Sequence, residues 1–302
     1  MKYFGVCPGS CGEFVQGILG KDEYLASYAV NLYSKATIEE KKDNISKGPY
    51  KSRKAIEEVC KYFNIDIRYT KNLSLKVQSN IPRGKGMASS TADIGATIKA
   101  TLNYLGKNIS LQQISKIATN IEPTDSILIK QVSIFNPLNG EIIKTLGFIE
   151  GMRVLVLEPD ETLNTIKLRS KGDYYLIKEK NKDGISEAFK LLEEGFKNKS
   201  LKLIGQASNL SSIMNQVIHQ KEGLKEVMNI SKEFGAYGVN VAHSGTVIGI
   251  ILDKEMDWKK LKDELILNNL DKKYKRIYPL DIVKGGVYNE RFDNTSSWKQ
   301  NK

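Results

Sequence analysis

The stretch from residue 73 to residue 106, "LSLKVQSNIPRGKGMASSTADIGATIKATLNYLG", constrains the fold more than any other segment of the chain. Leu73, Leu75 and Val77 alternate with Ser74, Lys76 and Gln78, the period of a strand with one buried face. The period then changes. Ile94, Ile98, Leu102 and Leu105 recur at helical steps, and Gly106 follows as a C-terminal stop. A strand that enters a helix through Gly84, Gly86, Ala88, Ser89 and Ser90 offers unpaired backbone N–H groups, a positive helix end and little side-chain bulk, a geometry that binds phosphate. The same small residues also serve as an ordinary helix cap, and on composition alone both readings stand. The loop is not a Walker A sequence, because Gly86 follows Lys85, and it lacks the Gly-x-Gly-x-x-Gly of a dinucleotide site.

The flanking segments place this loop in an α/β chain. Ser110 and Gln113 fit a capping box for a second helix, with Leu111, Ile114, Ile117 and Ile121 on one face and Pro123 ending it. The first 40 residues read as short strands around turns at Gly9, Gly12, Gly17 and Gly20, with a longer strand over residues 28–40. Residues 126–158 read mostly as strands, including "RVLVLE", until Pro159 breaks the pattern. Helical periodicity dominates from residue 185, as "ISEAFKLLEEGFK", "LKLIGQASNLSSIMNQ" and "LKEVMNISKEFG". A strand "GTVIGIILD", a helix "WKKLKDELILNN" and a last strand around "DIVKGGVY" follow, and the polar tail "RFDNTSSWKQNK" is expected to fray. The change of pattern sets a division near residue 160, giving an N-terminal domain of residues 1–160 and a C-terminal domain of residues 161–302.

With 302 residues the chain is long enough for one large or two closely packed domains. No uninterrupted apolar run of about 18 residues marks a membrane span, and the start has no apolar signal region, so a cytoplasmic protein without a membrane partner is expected. Cys7, Cys11 and Cys60 are few and odd in number, against a disulfide framework, and no second pair completes a zinc site. The net charge of +11 favours anionic ligands. The lysines are dispersed, however, and the cluster at residues 41–54 does not interleave aromatics as a base-stacking platform would, so it reads as solvated surface and not as a nucleic-acid platform.

Three strings, in order, carry a resemblance. "PRGKGMASSTAD" at residues 82–93 resembles the phosphate-binding motif of the GHMP kinases, the superfamily of galactokinase, homoserine kinase, mevalonate kinase and phosphomevalonate kinase. "CPGSCGEFVQG" at residues 7–17 and "VNVAHSGTVIG" at residues 239–249 resemble that superfamily's first and third motifs. Together with "EPTD" at residues 122–125, the wording is similar to the L-threonine kinases of cobalamin synthesis and salvage. The resemblance implies an α/β (α+β) two-domain fold, an N-terminal domain like a ribosomal protein and a C-terminal ferredoxin-like sandwich, with the active site between them. It implies ATP as co-substrate over Pro82, Arg83, Gly84, Lys85, Gly86, Met87, Ala88, Ser89, Ser90 and Thr91, with Lys85 as a mobile charge near the phosphates. It also implies Mg2+ at Ser90 and Glu122, and Asp125 as the group that takes the proton of a small-molecule hydroxyl. L-threonine is the favoured acceptor; homoserine or an isoprenoid precursor is the alternative. Glu13, His243 and Ser244 are implied at the acceptor, with His243 also open to a purely structural role. Many members have a lysine where this chain has Ser10, and "EPTD" taken alone reads as a turn.

Overall fold

The computed structural model describes residues 1–40, 48–162 and 174–289. The tail expected to fray and residues 41–47 of the lysine cluster lie outside them. Strands β1 (Lys2–Leu19) and β2 (Asp22–Glu40) form one long antiparallel hairpin that reverses at Gly20, where φ is +69°. The turns expected at Gly9, Gly12 and Gly17 are not turns. β1 runs through all three, and its register against β2 shifts at Pro8/Gly9, Ser10/Glu13 and Glu13/Val15 instead. Gly5 to Ile18 are all buried, so the strand lacks the alternation of a half-exposed one; Gly9 and Gly12 sit at the register shifts, and Gly17 pairs regularly with Tyr24.

Helix α1 (Tyr50–Tyr62) begins after Pro49 and buries Ser52, Ala55, Ile56, Val59 and Cys60, a stripe that starts at the end of the lysine cluster and that the sequence reading leaves unassigned. β3 (Leu73–Ser79) pairs with β2, with Leu73 and Leu75 buried and Lys76 and Gln78 exposed. Helix α2 (Ser89–Leu105) stops at Gly106, φ +63°, and α3 (Leu111–Thr119) carries both bonds of the Ser110–Gln113 capping box. β4 (Val132–Phe135) pairs with β2 and β5 (Ile142–Gly147) pairs with β4 at the sheet edge.

β6 (Met152–Glu158) opens the second half of the sheet. It is followed by α4 (Tyr174–Lys180), α5 (Lys182–Lys197), α6 (Leu201–Asn215), α7 (Leu224–Phe234), the hairpin β7 (Gly238–Val241) and β8 (Ile248–Asp253), α8 (Trp258–Leu267) and β9 (Arg276–Val283). The order β7-β8-β6-β9, antiparallel throughout, is the split βαββαβ arrangement of ferredoxin-like domains. β9 starts five residues before the strand read around 281–288, because Ile277 and Leu280 already face the core. Val154 and Val156 join the core shared with β1 and β2, whereas Leu155 and Leu157 pack with α7 and α8 on the other face. Burial on both faces is why "RVLVLE" is a continuous apolar run.

The sheet crosses the chain's midpoint. β1 meets β7 at Glu13–Val241, and β2 meets β9 at Ala29–Val283 and Val30–Ile282, so the bulged stretch of β1 lies beside the β7–β8 turn. No helix among the described residues is long and apolar enough to cross a membrane.

Helix α2 rests on β1 at Gly5, where an added Cβ would stand 2.1 Å from Ala96 O and 2.6 Å from Ala100 N. Both are backbone atoms that cannot rotate away. Gly5→Ala is therefore expected to cost about 1–3 kcal/mol of stability, the range for overpacking. A urea midpoint equal to the parent's would show that α2 shifts without cost.

Candidate active site

The loop before α2 is built on backbone. Gly84 and Gly86 have φ of +70° and +81°, and Ala88, the N-cap residue, holds a left-handed φ of +55°. Ala88 has no side chain that could cap, so the first-turn amides of α2 are left for a ligand; α3 and α6, by contrast, are capped by Ser110 and Ser200. The β7–β8 turn lies directly behind the loop. Thr246 N and Val247 N both donate to Lys85 O, at 2.9 and 3.2 Å. A Cβ on Gly245 would stand 2.3 Å from Gly86 Cα, so only glycine permits this approach. On the opposite side Ser10 N donates to Met87 O at 3.1 Å. The three strings that lie far apart in sequence thus meet through main-chain contacts.

Two groups of side chains flank the loop. At its mouth, Ser90 Oγ donates to Glu122 Oε1, and Lys51 Nζ from α1 donates to Glu122 Oε2 and, at 3.3 Å, to Ser90 Oγ. Deeper in, Asp125 is buried and its Oδ1 accepts from Ile127 N at 3.2 Å, which fixes the carboxylate at the head of a short 3-10 turn, Ser126–Leu128. Burial first, and then the negative charge of Glu13, push the Asp125 carboxyl up to about 7. Glu13 Oε2 accepts from both His243 N and His243 Nδ1, each at 3.0 Å. A carboxylate only accepts, so Nδ1 carries a proton; the other ring nitrogen, Nε2, meets Ser211 Oγ at 2.9 Å.

Several expected roles change once the side chains are placed. Lys85 is not a mobile charge: it is 5% exposed, and its Nζ donates to the carbonyls of Pro159, Asp160 and Glu161 at 2.6, 2.8 and 2.6 Å. Met87 is a core residue whose carbonyl, not its side chain, serves the loop. Thr91 is buried, and its Oγ1 accepts from Asp125 N at 3.3 Å instead of facing the loop. Arg83 points outward to Asp93 at 3.4 Å, and Pro82 is half-buried. His243 is buried and bonded on both ring nitrogens, so it holds Glu13 in place; Ser244 beside it is half-buried. Cys7, Cys11 and Cys60 are buried free thiols, and burial pushes Cys11 up to about 12, which removes it as a nucleophile. Lys51 escapes the sequence reading because nothing in a run of lysines distinguishes the one that meets a carboxylate.

Replacing Lys85 with methionine strands three carbonyls. The expected loss is about 1.5–3 kcal/mol, the range for hydrogen bonds to a charged group, read as a lower melting temperature without nucleotide and faster amide exchange around residues 159–161. Unchanged melting with only a raised KM for ATP would return Lys85 to the phosphates.

The family of GHMP kinases N terminal domains matches residues 51–128, and that of GHMP kinases C terminal matches residues 192–273. The chain is 33% identical to an L-threonine kinase of Salmonella typhimurium over 93% of each chain, and 31% identical to an L-threonine kinase of Citrobacter freundii over 93% of this chain and 97% of that enzyme. Among solved structures, a mevalonate diphosphate decarboxylase from Staphylococcus aureus superposes with a TM-score of 0.70 at 14% identity, covering 96% of this chain and 99% of that one. The last likeness concerns fold alone. With the phosphate loop, its two supporting motifs and both family halves in register, the chain belongs to the GHMP kinases, which use ATP to phosphorylate small-molecule alcohols.

Proposed function

We propose that this protein is an L-threonine kinase that converts L-threonine and ATP into O-phospho-L-threonine and ADP. Its likeness to two L-threonine kinases across 93% of the chain is the observation that carries the acceptor. A cytoplasmic role in cobalamin synthesis or salvage comes with the same reading.

In this reading Asp125 is the proton acceptor. As the threonine oxygen bonds to the γ-phosphorus and the bond to the ADP oxygen breaks, the hydroxyl proton passes to the Asp125 carboxylate. A carboxyl raised to about 7 by burial and by Glu13 is matched to that task near neutral pH. The loop from Gly84 to Ser90 receives the phosphates on its amides, and Glu13, whose Oε2 is taken by His243, turns its other oxygen to the substrate ammonium. Ser90 and Glu122 fit Mg2+, because they offer hard oxygen donors side by side at the loop mouth. Among the described residues no cluster of three His, Cys, Asp or Glu forms a separate metal cage. When bound, the ion would supply positive charge to the phosphate oxygens. Lys51 stands beside the same pair and shares that role from the protein's side.

A coupled ADP-release screen over L-threonine, L-serine, L-homoserine, mevalonate and galactose is expected to give the highest kcat/KM for L-threonine. A higher value for any other member ends the threonine assignment and leaves the family assignment in place.

Asp125→Asn keeps the size of the side chain and its bond to Ile127 N. It is expected to lower kcat on the order of 10²-fold or more, as for loss of a general base, and to remove the acid limb near pH 7. Stability moves the other way. Because the folded-state carboxyl titrates above its ordinary 3.8, the parent loses stability as pH rises from about 4 to about 7, and Asp125→Asn melts higher than the parent above pH 7. A kcat within a few-fold of the parent's would make Asp125 a turn residue only.

A further inference from the structure

Lys221 lies in the turn between α6 and α7, and the Gln216 side chain locks its backbone. Gln216 Oε1 accepts from Lys221 N at 2.6 Å, and Gln216 Nε2 donates to Lys221 O at 3.2 Å. From this anchor the side chain runs inward: it is 4% exposed, and its Nζ is buried with no hydrogen-bond partner. The other two buried lysines among the described residues are partnered, Lys85 by three carbonyls and Lys178 by Glu23 at 2.6 Å. An ammonium buried without a partner is costly, and a fold that holds one by a locked turn has a use for it.

Its surroundings give the direction. Glu13 is the charged group acting on Lys221, and Glu13 is also the charge acting on Asp125. The start of the same turn is tied to the site as well, since Asn215 Nδ2 donates to His243 O at 3.5 Å and Asn215 Oδ1 is buried without a partner. Burial, opposed by Glu13, pushes the Lys221 ammonium down to about 7, and an arriving anion would hold it protonated.

We propose that Lys221 binds the carboxylate of the acceptor, so that the site is built for a carboxylate-bearing alcohol whose ammonium faces Glu13. The proposal rests on the reading of this corner as the acceptor site. A zwitterion placed there is balanced at both ends, carboxylate against Lys221 and ammonium against Glu13. A dianionic phosphate would instead be repelled by Glu13. The proposed role also separates Lys221 from the lysine that many GHMP kinases have where this chain has Ser10: it anchors the substrate and does not flank the base.

The test compares L-threonine with L-threoninamide in the parent and in Lys221→Met, with melting curves for both proteins. The parent is expected to prefer the acid on the order of 10²-fold in kcat/KM, the scale of a buried charge pair, and Lys221→Met to bring acid and amide to near parity. L-threonine should raise the melting temperature of the parent but not of the variant. Without ligand the variant should melt no lower than the parent, because an unpaired buried charge has been removed. Retained preference for the acid, an equal loss on both compounds, or a variant that melts well below the parent overturns the proposal. If the parent ignores threonine and uses L-homoserine or mevalonate, the threonine reading fails, and the acid-to-amide comparison on that substrate decides Lys221 in the same way. A parent that prefers galactose, which has no carboxylate, overturns both.

Discussion

The contact between Gly86 and Gly245 holds the active site together. Two backbones approach so closely that neither position tolerates a side chain, and Lys85 O takes two amides of the β7–β8 turn in the same place. Because the contact joins the phosphate loop of one half to a turn of the other, the loop's left-handed residues are held from behind. Ser10 N on Met87 O closes the other side, and the Lys85 ammonium reaches past the turn to fasten residues 159–161. Several of the side chains assigned to chemistry lie on the elements that form this joint. Glu13 is on the strand that supplies Ser10, His243 is in the turn that supplies Gly245, and Ser90 and Thr91 follow the loop into α2.

Buried charge is the second organising feature. Glu13 and Asp125 are carboxylates brought together inside the protein, an arrangement that raises one of them and disfavours the fold at neutral pH. His243 limits that cost by giving Glu13 two donors, and Ser211 fixes the histidine ring in turn. Lys221 adds an ammonium without a partner. The buried Tyr28–Asn240 pair, by contrast, is satisfied: Tyr28 OH donates to Asn240 Oδ1 at 2.7 Å and Asn240 Nδ2 donates to Cys11 O at 2.6 Å.

Much of this is legible from short-range patterns. The strand–loop–helix unit, the Ser110–Gln113 capping box, the stop at Gly106 and the helices after residue 185 follow from periodicity and caps, which depend on near neighbours. The hairpin β1–β2 is not legible in this way, for a physical reason: a strand buried on both faces has no alternation, and bulge glycines resemble turn glycines until a partner strand is present. Helix α1 is hidden because its buried stripe is surrounded by lysines.

The sequence by itself determined the family, since three ordered strings and a loop of glycine and small residues tolerate few alternatives at such close backbone approaches. It also determined that a strand enters a helix through a loop of glycine and small residues. Only the tertiary structure decided where long side chains end. Lysine has a flexible four-carbon stem, and nothing local distinguishes Lys51 at a carboxylate, Lys85 among carbonyls and Lys221 alone inside the protein. Burial and pairing are properties of what the rest of the chain brings within a few ångströms, and such neighbours can lie 230 positions apart, as Glu13 and His243 do.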